Sequence, residues 1–466
     1  MLRIFILYIL IGFLIPHIFP KWVSKKSKKN LKVLDINTST TGPDKALLIE
    51  EPVDAFSIRI QMIRSAKKTI DFVCYAMQNG QTTNVYLEEI LNAANRGVII
   101  RILLDAKVGI VDRTLALKMR AISFHKNVTY HTYNTLSLLK PWNWNNLLHD
   151  KFLLVDDTYL LLGGRNIGDR FFAPNGFKEA LTNDREVFIH NTNYNNNNSV
   201  LHQIKSYLNK LLHSKQTTQK IYPFMLTNKQ YNLAIYSLQE ESKKCRQMNP
   251  QYYQKSFNNY LKQCIPTNKI ILLHNPIGTG KKEPWIAYQL TKLANRTKRS
   301  ILLQTPYSTA NPFLLKTIKK LTNKVESLVM VTNSLASSPN YPAFSNYWSQ
   351  RKKFVDNGVS IYEYQSNDSI HGKSIVFDDH LSAVGSFNMD DRSFYINTEL
   401  MLVINSKAFA SMLKKAILAY KKSSLLVNSN NTYEASTQVV EKRVPFYKRL
   451  LMKIISIFSR ILQSLI

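Results

Sequence analysis

HDKFLLVDDTYLLLGGRN occupies residues 149–166, and HGKSIVFDDHLSAVGSFN occupies residues 371–388. The two stretches begin 222 residues apart (371 − 149), and their distinctive positions coincide. His149 matches His371, Lys151 matches Lys373, Asp156 matches Asp378 and Asn166 matches Asn388. On an extended strand, residues two apart project to one face, so each histidine emerges beside its lysine. The apolar residues between them pack the strand, which ends near the aspartate. Glycines ahead of each asparagine permit a tight turn close to a ligand. That turn brings Asn166 or Asn388 back to the His-Lys face. A carboxylate closes each block: Glu186 in NDREVFI and Glu399 in INTELMLVI.

The duplication extends outward from the motif. Upstream of the first copy, SAKKTIDFVCYAM reads as a helix end and a strand, and TNVYLEEILNAANRGVIIRILLD as a helix and a buried strand. Upstream of the second, NRTKRSILLQTPYS and PFLLKTIKKLTNKVESLVMVTNS repeat that order. A further strand, NVTYHTYN (127–134) or GVSIYEYQ (358–365), precedes each motif. Strands alternating with helices predict two similar α/β/α halves with mixed, largely parallel sheets, related by a pseudo-twofold axis. The first half is expected over 46–200 and the second over 269–425. A helical insertion or linker is expected over 201–268, a basic tether over 21–45 and a tail over 426–466.

One His-Lys-Asn set can hold half of a phosphate site, and two sets can surround one phosphodiester. Fixed cations and donors stabilise the charged five-coordinate transition state. One histidine can attack phosphorus to give a phosphohistidine, while the other protonates the departing alkoxide and later deprotonates the acceptor. Glu186 and Glu399 are the carboxylates expected to fix an imidazole tautomer. Asp156 and Asp378 read as residues that hold the motif turn. Neither a metal nor a cofactor is expected, since no Cys/His or carboxylate cluster suggests one. Cys74, Cys245 and Cys264 lack metal or CxxC spacing and read as reduced thiols.

The chain has 466 residues with 62 Lys+Arg against 31 Asp+Glu, a formal net charge of +31. That excess favours a polyanionic partner, nucleic acid or an anionic phospholipid membrane. The ends favour the membrane. Ile4 to Phe19 carries no charge and is followed by KWVSKKSKKNLK. Residues 1–20 therefore read as a membrane anchor with the body on the cytoplasmic side. The alternative is a cleaved signal peptide. Near the C-terminus, Arg449, Lys453, Ser456, Arg460 and Gln463 share one helical face, and apolar residues cover the rest. Such a helix suits a membrane interface, or else docks on the core.

HxKx4Dx6G(G/S)xN present twice resembles the phospholipase D superfamily, whose repeated signature is called the HKD motif. GGRNIGDRFF (163–172), TNSLASS (332–338) and GSFNMDDRSFYINTE (385–399) resemble bacterial cardiolipin synthases of the C-type branch. The resemblance runs from about Leu48 to Ile404. It implies two halves sharing one active site, with His149 as nucleophile. It also implies phosphatidyl transfer from phosphatidylglycerol or phosphatidylethanolamine at the bacterial cytoplasmic membrane, giving cardiolipin. Departures are Arg170 at a position where an acidic residue is usual, CYAMQNG (74–80), and residues 190–265. The competing readings are a phospholipase D handing the phosphatidyl group to water, and a nuclease of the same superfamily. Nucleic acid is the less expected partner, and both motif copies are intact, which argues against an inactive scaffold.

Overall fold

A computed structural model of the chain describes residues 1–18, 21–31, 36, 38–222 and 226–461, without the side chains of 15–18 and 458–461. Each half is built on one large sheet. In the first, Thr69–Cys74, Ile99–Asp105 and Val128–Tyr133 are parallel neighbours joined by the helices Gln81–Asn95 and Arg113–Ser123. Phe152–Val155, Tyr159–Gly163 and Glu186–Asn191 continue that sheet antiparallel. The second half repeats the plan. Ser300–Gln304, Ser327–Asn333 and Ser360–Tyr364 are parallel, and Lys373–Phe377, Leu381–Gly385 and Leu400–Asn405 follow antiparallel.

The two α/β halves and their mixed sheets agree with the sequence reading, but "largely parallel" needs correction. Among the described residues, the nine-stranded and eight-stranded sheets hold two parallel ladders each, and their other ladders are antiparallel. Parallel neighbours need a long crossover, which the helices supply, whereas the motif hairpin closes through a short turn.

That hairpin turn explains the paired aspartates. Asp156 and Asp157 have φ 52° and 56°, and Asp378 and Asp379 have φ 47° and 62°. Aspartate tolerates this left-handed region better than most residues. Asp156 accepts the backbone N–H groups of Lys67, Lys68 and Thr69 at 2.6, 2.7 and 2.8 Å. Asp378 accepts those of Lys298, Arg299 and Ser300 at 2.7, 2.7 and 3.0 Å. Each carboxylate thus ties its hairpin to the start of the adjacent parallel strand. The second aspartates reach helices instead, Asp157 to Lys205 at 2.5 Å and Asp379 to Lys414 at 2.9 Å.

Those two helices, Val200–Leu212 and Lys407–Lys422, form a layer between the sheets. Leu201, Ile204, Leu208, Phe409, Leu413 and Ile417 are buried in one apolar cluster with strand residues of both halves. Burying each such side chain contributes roughly 1.5–3 kcal/mol, so this layer helps to join the halves. The segment 201–268 is therefore integrated rather than free-standing. After its central helix, Asn228–Met248 and Phe257–Gln263 pack Leu238, Cys245 and Tyr260 into the first half's outer core. All three cysteines are free and buried.

The apolar N-terminus forms the helix Leu2–Ile18, and Phe19 and Pro20 lie outside the described residues. No described helix is long and apolar enough to cross a membrane. The C-terminal helix Phe446–Ile461 begins after Pro445 and docks near Tyr341–Asp356, where Lys448 donates to the carbonyls of Ala336 and Ser338. It buries Met452 yet leaves Leu450, Ile454 and Ile457 exposed. Residues 462–466 of the expected apolar face lie outside the described ones.

Candidate active site

The seam between the halves is made by the residues flanking the two histidines. Thr398 N–H donates to the Leu147 carbonyl at 3.0 Å, and His149 N–H donates to Thr398 Oγ1 at 3.0 Å. Symmetrically, His371 N–H donates to the Asn183 carbonyl at 2.7 Å. Ser369–Ile370 pairs in parallel with Thr182–Asn183, and Leu148 bridges Thr398. Each motif therefore meets the segment that precedes the other half's last motif strand.

This exchange brings the carboxylates to the histidines. His149 Nδ1 lies 3.0 Å from Glu399 Oε2, and His371 Nδ1 lies 2.5 Å from Asp184 Oδ2. Both contacts cross between the halves. Glu399 is held by Ser386 Oγ at 2.5 Å and Ser393 Oγ at 2.7 Å. Glu399 thus takes the expected place beside a histidine, and Glu186 does not. Glu186 is buried beneath the first motif, where it accepts from Arg59 Nη1 at 2.7 Å and lies 3.3 Å from Arg165 Nε. Sheet register explains the correction: Gly163 pairs with Glu186, whereas Gly385 pairs with Met401. The counterpart of Glu399 is thus two residues before Glu186, namely Asp184.

The lysines stand as their strand spacing predicts. Lys151 Nζ donates to the His149 carbonyl at 2.7 Å and sits 4.9 Å from the Tyr75 ring centroid. Lys373 Nζ is 2.7 Å from His371 Nδ1 and 3.8 Å from Asp184. The Tyr75 ring lies 5.0 Å from His149, and the rings of Tyr307 and Phe171 lie 6.2 and 6.4 Å from His371. Asn166 and Asn388 each hold a buried Oδ1 with no hydrogen-bond partner among the described residues. Gly163 and Gly385 allow the close strand approach: a Cβ at either would run into the carbonyl of Arg185 or Leu400. Asp156 and Asp378 are spent on the backbone groups described above, away from the histidines.

The family described as "Cardiolipin synthase, PLD-like domain" matches residues 59–212 and 290–420, which together take in both motif copies. The chain belongs to this family. Cardiolipin synthase C of Escherichia coli is 23% identical over 407 residues, covering 79% of this chain and 83% of that protein. An uncharacterized protein of Helicobacter pylori is 27% identical over 444 residues, covering 87% of each chain. Among solved structures, phosphatidylserine synthase of Haemophilus influenzae shares the fold with TM-score 0.64 at 13% identity, covering 91% of this chain and 95% of that one.

Electrostatics differ between the two histidine-carboxylate pairs of this PLD-like site. Burial pushes Glu399 up to about 7, although Lys151 and the two serines oppose it. Burial also disfavours a charged Asp184, but Lys373 and His371 outweigh it and hold that carboxylate well below its usual range. Both imidazoles are biased to the neutral form: burial and then Lys151 lower His149, while burial and then Lys373 lower His371 to about 4. Burial draws Lys151 down to about 8 and Lys373 to about 7. A phosphodiester anion between the lysines favours their charged forms. A neutral imidazole leaves one ring nitrogen free to attack phosphorus, and an ionised carboxylate behind the other steadies an imidazolium.

Asp184 is the functional candidate that sequence reasoning missed. A signal was present: TND (182–184) precedes REVFI as NTE (397–399) precedes LMLVI. The serines holding Glu399 were missed as its partners: Ser386 fills the G/S position of the motif, whereas no spacing rule in the sequence marks Ser393.

Proposed function

We propose that this protein is a membrane-bound phosphatidyltransferase that makes cardiolipin, with phosphatidylglycerol, phosphatidylethanolamine or both as donor. The observation that carries this reading is the crossed arrangement of the two histidines, each backed by a carboxylate of the other half. Similarity to cardiolipin synthases supplies the choice of substrate class.

In the proposed reaction His149 attacks the phosphorus of the donor lipid. The bond to the headgroup oxygen breaks, and His371, charged as its imidazolium against ionised Asp184 once the phosphodiester anion is bound, gives that oxygen its proton, releasing glycerol or ethanolamine. His371 then takes the proton of a primary hydroxyl of a second phosphatidylglycerol. The resulting alkoxide displaces His149, and cardiolipin leaves. Lys151, Lys373, Asn166 and Asn388 hold the non-bridging oxygens, while Glu399 and Asp184 orient the imidazoles. The proposed reaction takes place at the bacterial cytoplasmic membrane with the catalytic body on the cytoplasmic side, a reading supported by the apolar N-terminus and the lysines after it, which suit the anionic cytoplasmic leaflet.

The test is conversion of phosphatidylglycerol to cardiolipin and glycerol by the purified protein in detergent. His149→Ala and His371→Ala are each expected to abolish it, and full activity in both variants would defeat the site assignment. Phosphatidic acid as the main product would favour hydrolysis over transfer.

A further inference from the structure

The segment linking the strand Val128–Tyr133 to His149 carries more exposed apolar surface than a loop needs. Leu136, Leu138 and Leu139 are 60%, 61% and 73% exposed, with Trp142 beside them at 38%. These residues are not on a loose excursion. Asn134 Nδ2 donates to the carbonyls of Asn143 and Asn146, both at 2.8 Å, and Trp144 Nε1 donates to the Ser137 carbonyl at 2.8 Å. The end of the loop is fastened to the other half, since Asn146 Nδ2 donates to the Ile396 carbonyl at 2.7 Å. The loop is thus a braced bracket that holds three leucines in water, with its last anchor three residues before His149.

The N-terminal helix is seated on the same bracket. Tyr8 OH donates to the Leu139 carbonyl at 2.6 Å, and the Tyr8 and Trp142 rings pack edge to face at 6.4 Å. The chain beyond the helix is fastened to the second half: Lys21 Nζ donates to the Lys281 carbonyl at 3.0 Å. This apolar helix therefore lies against one half and leads into a segment tied to the other. Its 17 residues span about 25 Å at 1.5 Å per residue, short of a hydrocarbon core of about 30 Å. Docked along one side, the helix still exposes Ile4, Leu7 and Ile11.

We propose that the loop 135–144 and the exposed flank of Leu2–Ile18 form one interfacial surface that enters a single leaflet of an anionic phospholipid bilayer. Leu136, Leu138 and Leu139 pass below the headgroups, and Trp142 sits at their level, where an amphipathic ring is favoured. Lys140 on the loop and Lys25, Lys26, Lys28 and Lys29 after the helix supply cations for the anionic surface. His149, three residues after the Asn146 anchor, then lies near headgroup depth, where a lipid phosphodiester already sits. This inference rests on the lipid reading only for the substrate, because insertion can be measured without turnover.

The experiment places a nitrobenzoxadiazole label on Leu138→Cys in the full chain, reconstituted in phosphatidylglycerol vesicles. The native cysteines are buried, so the label reports the new position. Leu233→Cys, 60% exposed on Asn228–Met248, is the control. The expected result is quenching by acyl-chain nitroxide lipids several-fold greater at 138 than at 233. Equal quenching overturns the proposal, and so does a blue-shifted label at 138 that lipid nitroxides do not quench, which would mean that a second copy covers the loop. L138Q/L139Q is expected to lose at least tenfold in turnover of vesicle-borne substrate while keeping hydrolysis of water-soluble bis(p-nitrophenyl) phosphate. Unchanged vesicle turnover also overturns it. No hydrolysis of the soluble diester by the unmutated protein would count against the enzymatic reading and leave the label result standing.

Discussion

Glu399 of the second half meets His149 of the first through Nδ1, 3.0 Å from Oε2. A substitution in one half should therefore disable the histidine of the other. Glu399→Gln and Asp184→Asn are each expected to lower turnover roughly 10²–10⁴-fold, the range for losing a general acid-base partner or its orienting carboxylate. Steady-state assay of both variants, with melting curves to verify folding, checks this. Near-normal rates in a folded E399Q protein would remove the carboxylate from the mechanism.

Glu186→Gln should behave differently. It leaves Arg59 and Arg165 buried beside a neutral amide, and breaking a buried ion pair costs about 3–5 kcal/mol. The expected outcome is a clear drop in denaturant midpoint, with the rate per folded molecule reduced far less than in E399Q.

The contrast shows which parts of the site were readable. His149, Lys151, His371, Lys373 and both asparagines follow from a motif whose internal spacings are invariant between copies. The carboxylate was legible only where an unequal connection did not intervene. From Gly163 to Asp184 is 21 residues (184 − 163), but from Gly385 to Glu399 is 14 (399 − 385). Counting from the motif cannot cross that difference, whereas the ladder between Tyr159–Gly163 and Glu186–Asn191 does. Strand direction was hidden for a related reason. Buried strands read alike in parallel and antiparallel sheets, and only the connection decides. The role of 201–268 was obscured because Leu201, Ile204 and Leu208 give a helical stripe without saying which sheet covers it. Here both do.

Asp156→Ala and Asp378→Ala should act on stability. Each deletes the acceptor of three backbone N–H groups, of which those of Lys67, Lys68, Lys298 and Arg299 are exposed and can turn to water, so the expected loss is about 0.5–1.5 kcal/mol, the net worth of an intramolecular hydrogen bond. For Asp378 the sign with pH is fixed. Burial opposes ionisation, but the N–H groups of Lys298, Arg299 and Ser300 hold its carboxyl below the usual range. A depressed folded value means that the carboxylate's stabilisation is complete above the ordinary aspartate range and lost as pH falls through the folded value. Melting temperatures of D378A and the unmutated protein should converge in acid and separate above about pH 5.

Activity should be confined to a narrow pH range. Below about 7 Glu399, raised by burial, takes up a proton and no longer serves as an ionised partner for His149. Above about 7 Lys373, lowered by burial, loses its charge, and Lys151 follows at about 8. The kcat/KM profile of the free protein is expected to be a bell centred near neutrality. E399Q should lose the acid limb that Glu399 causes and retain the alkaline one. An acid limb unchanged in E399Q would assign that limb to a different group.

The division of labour between the histidines can be read from a trapped intermediate. His149 faces a carboxyl group that burial brings near neutrality, and its neutral imidazole is the expected nucleophile. His371 faces a carboxylate held ionised, which suits a group that must carry a proton. A diester with a p-nitrophenolate leaving group needs little help from an acid, because that anion departs unprotonated near neutral pH. With such a substrate, His371→Ala should still form the phosphohistidine at His149. It lacks the base that activates water or an alcohol, so the intermediate should accumulate. Quenching in alkali and locating the phosphorylated residue by mass spectrometry is expected to find label on His149 in H371A and none on protein in H149A. Label on His371 in H149A, with none in H371A, would exchange the two roles while leaving the crossed geometry intact.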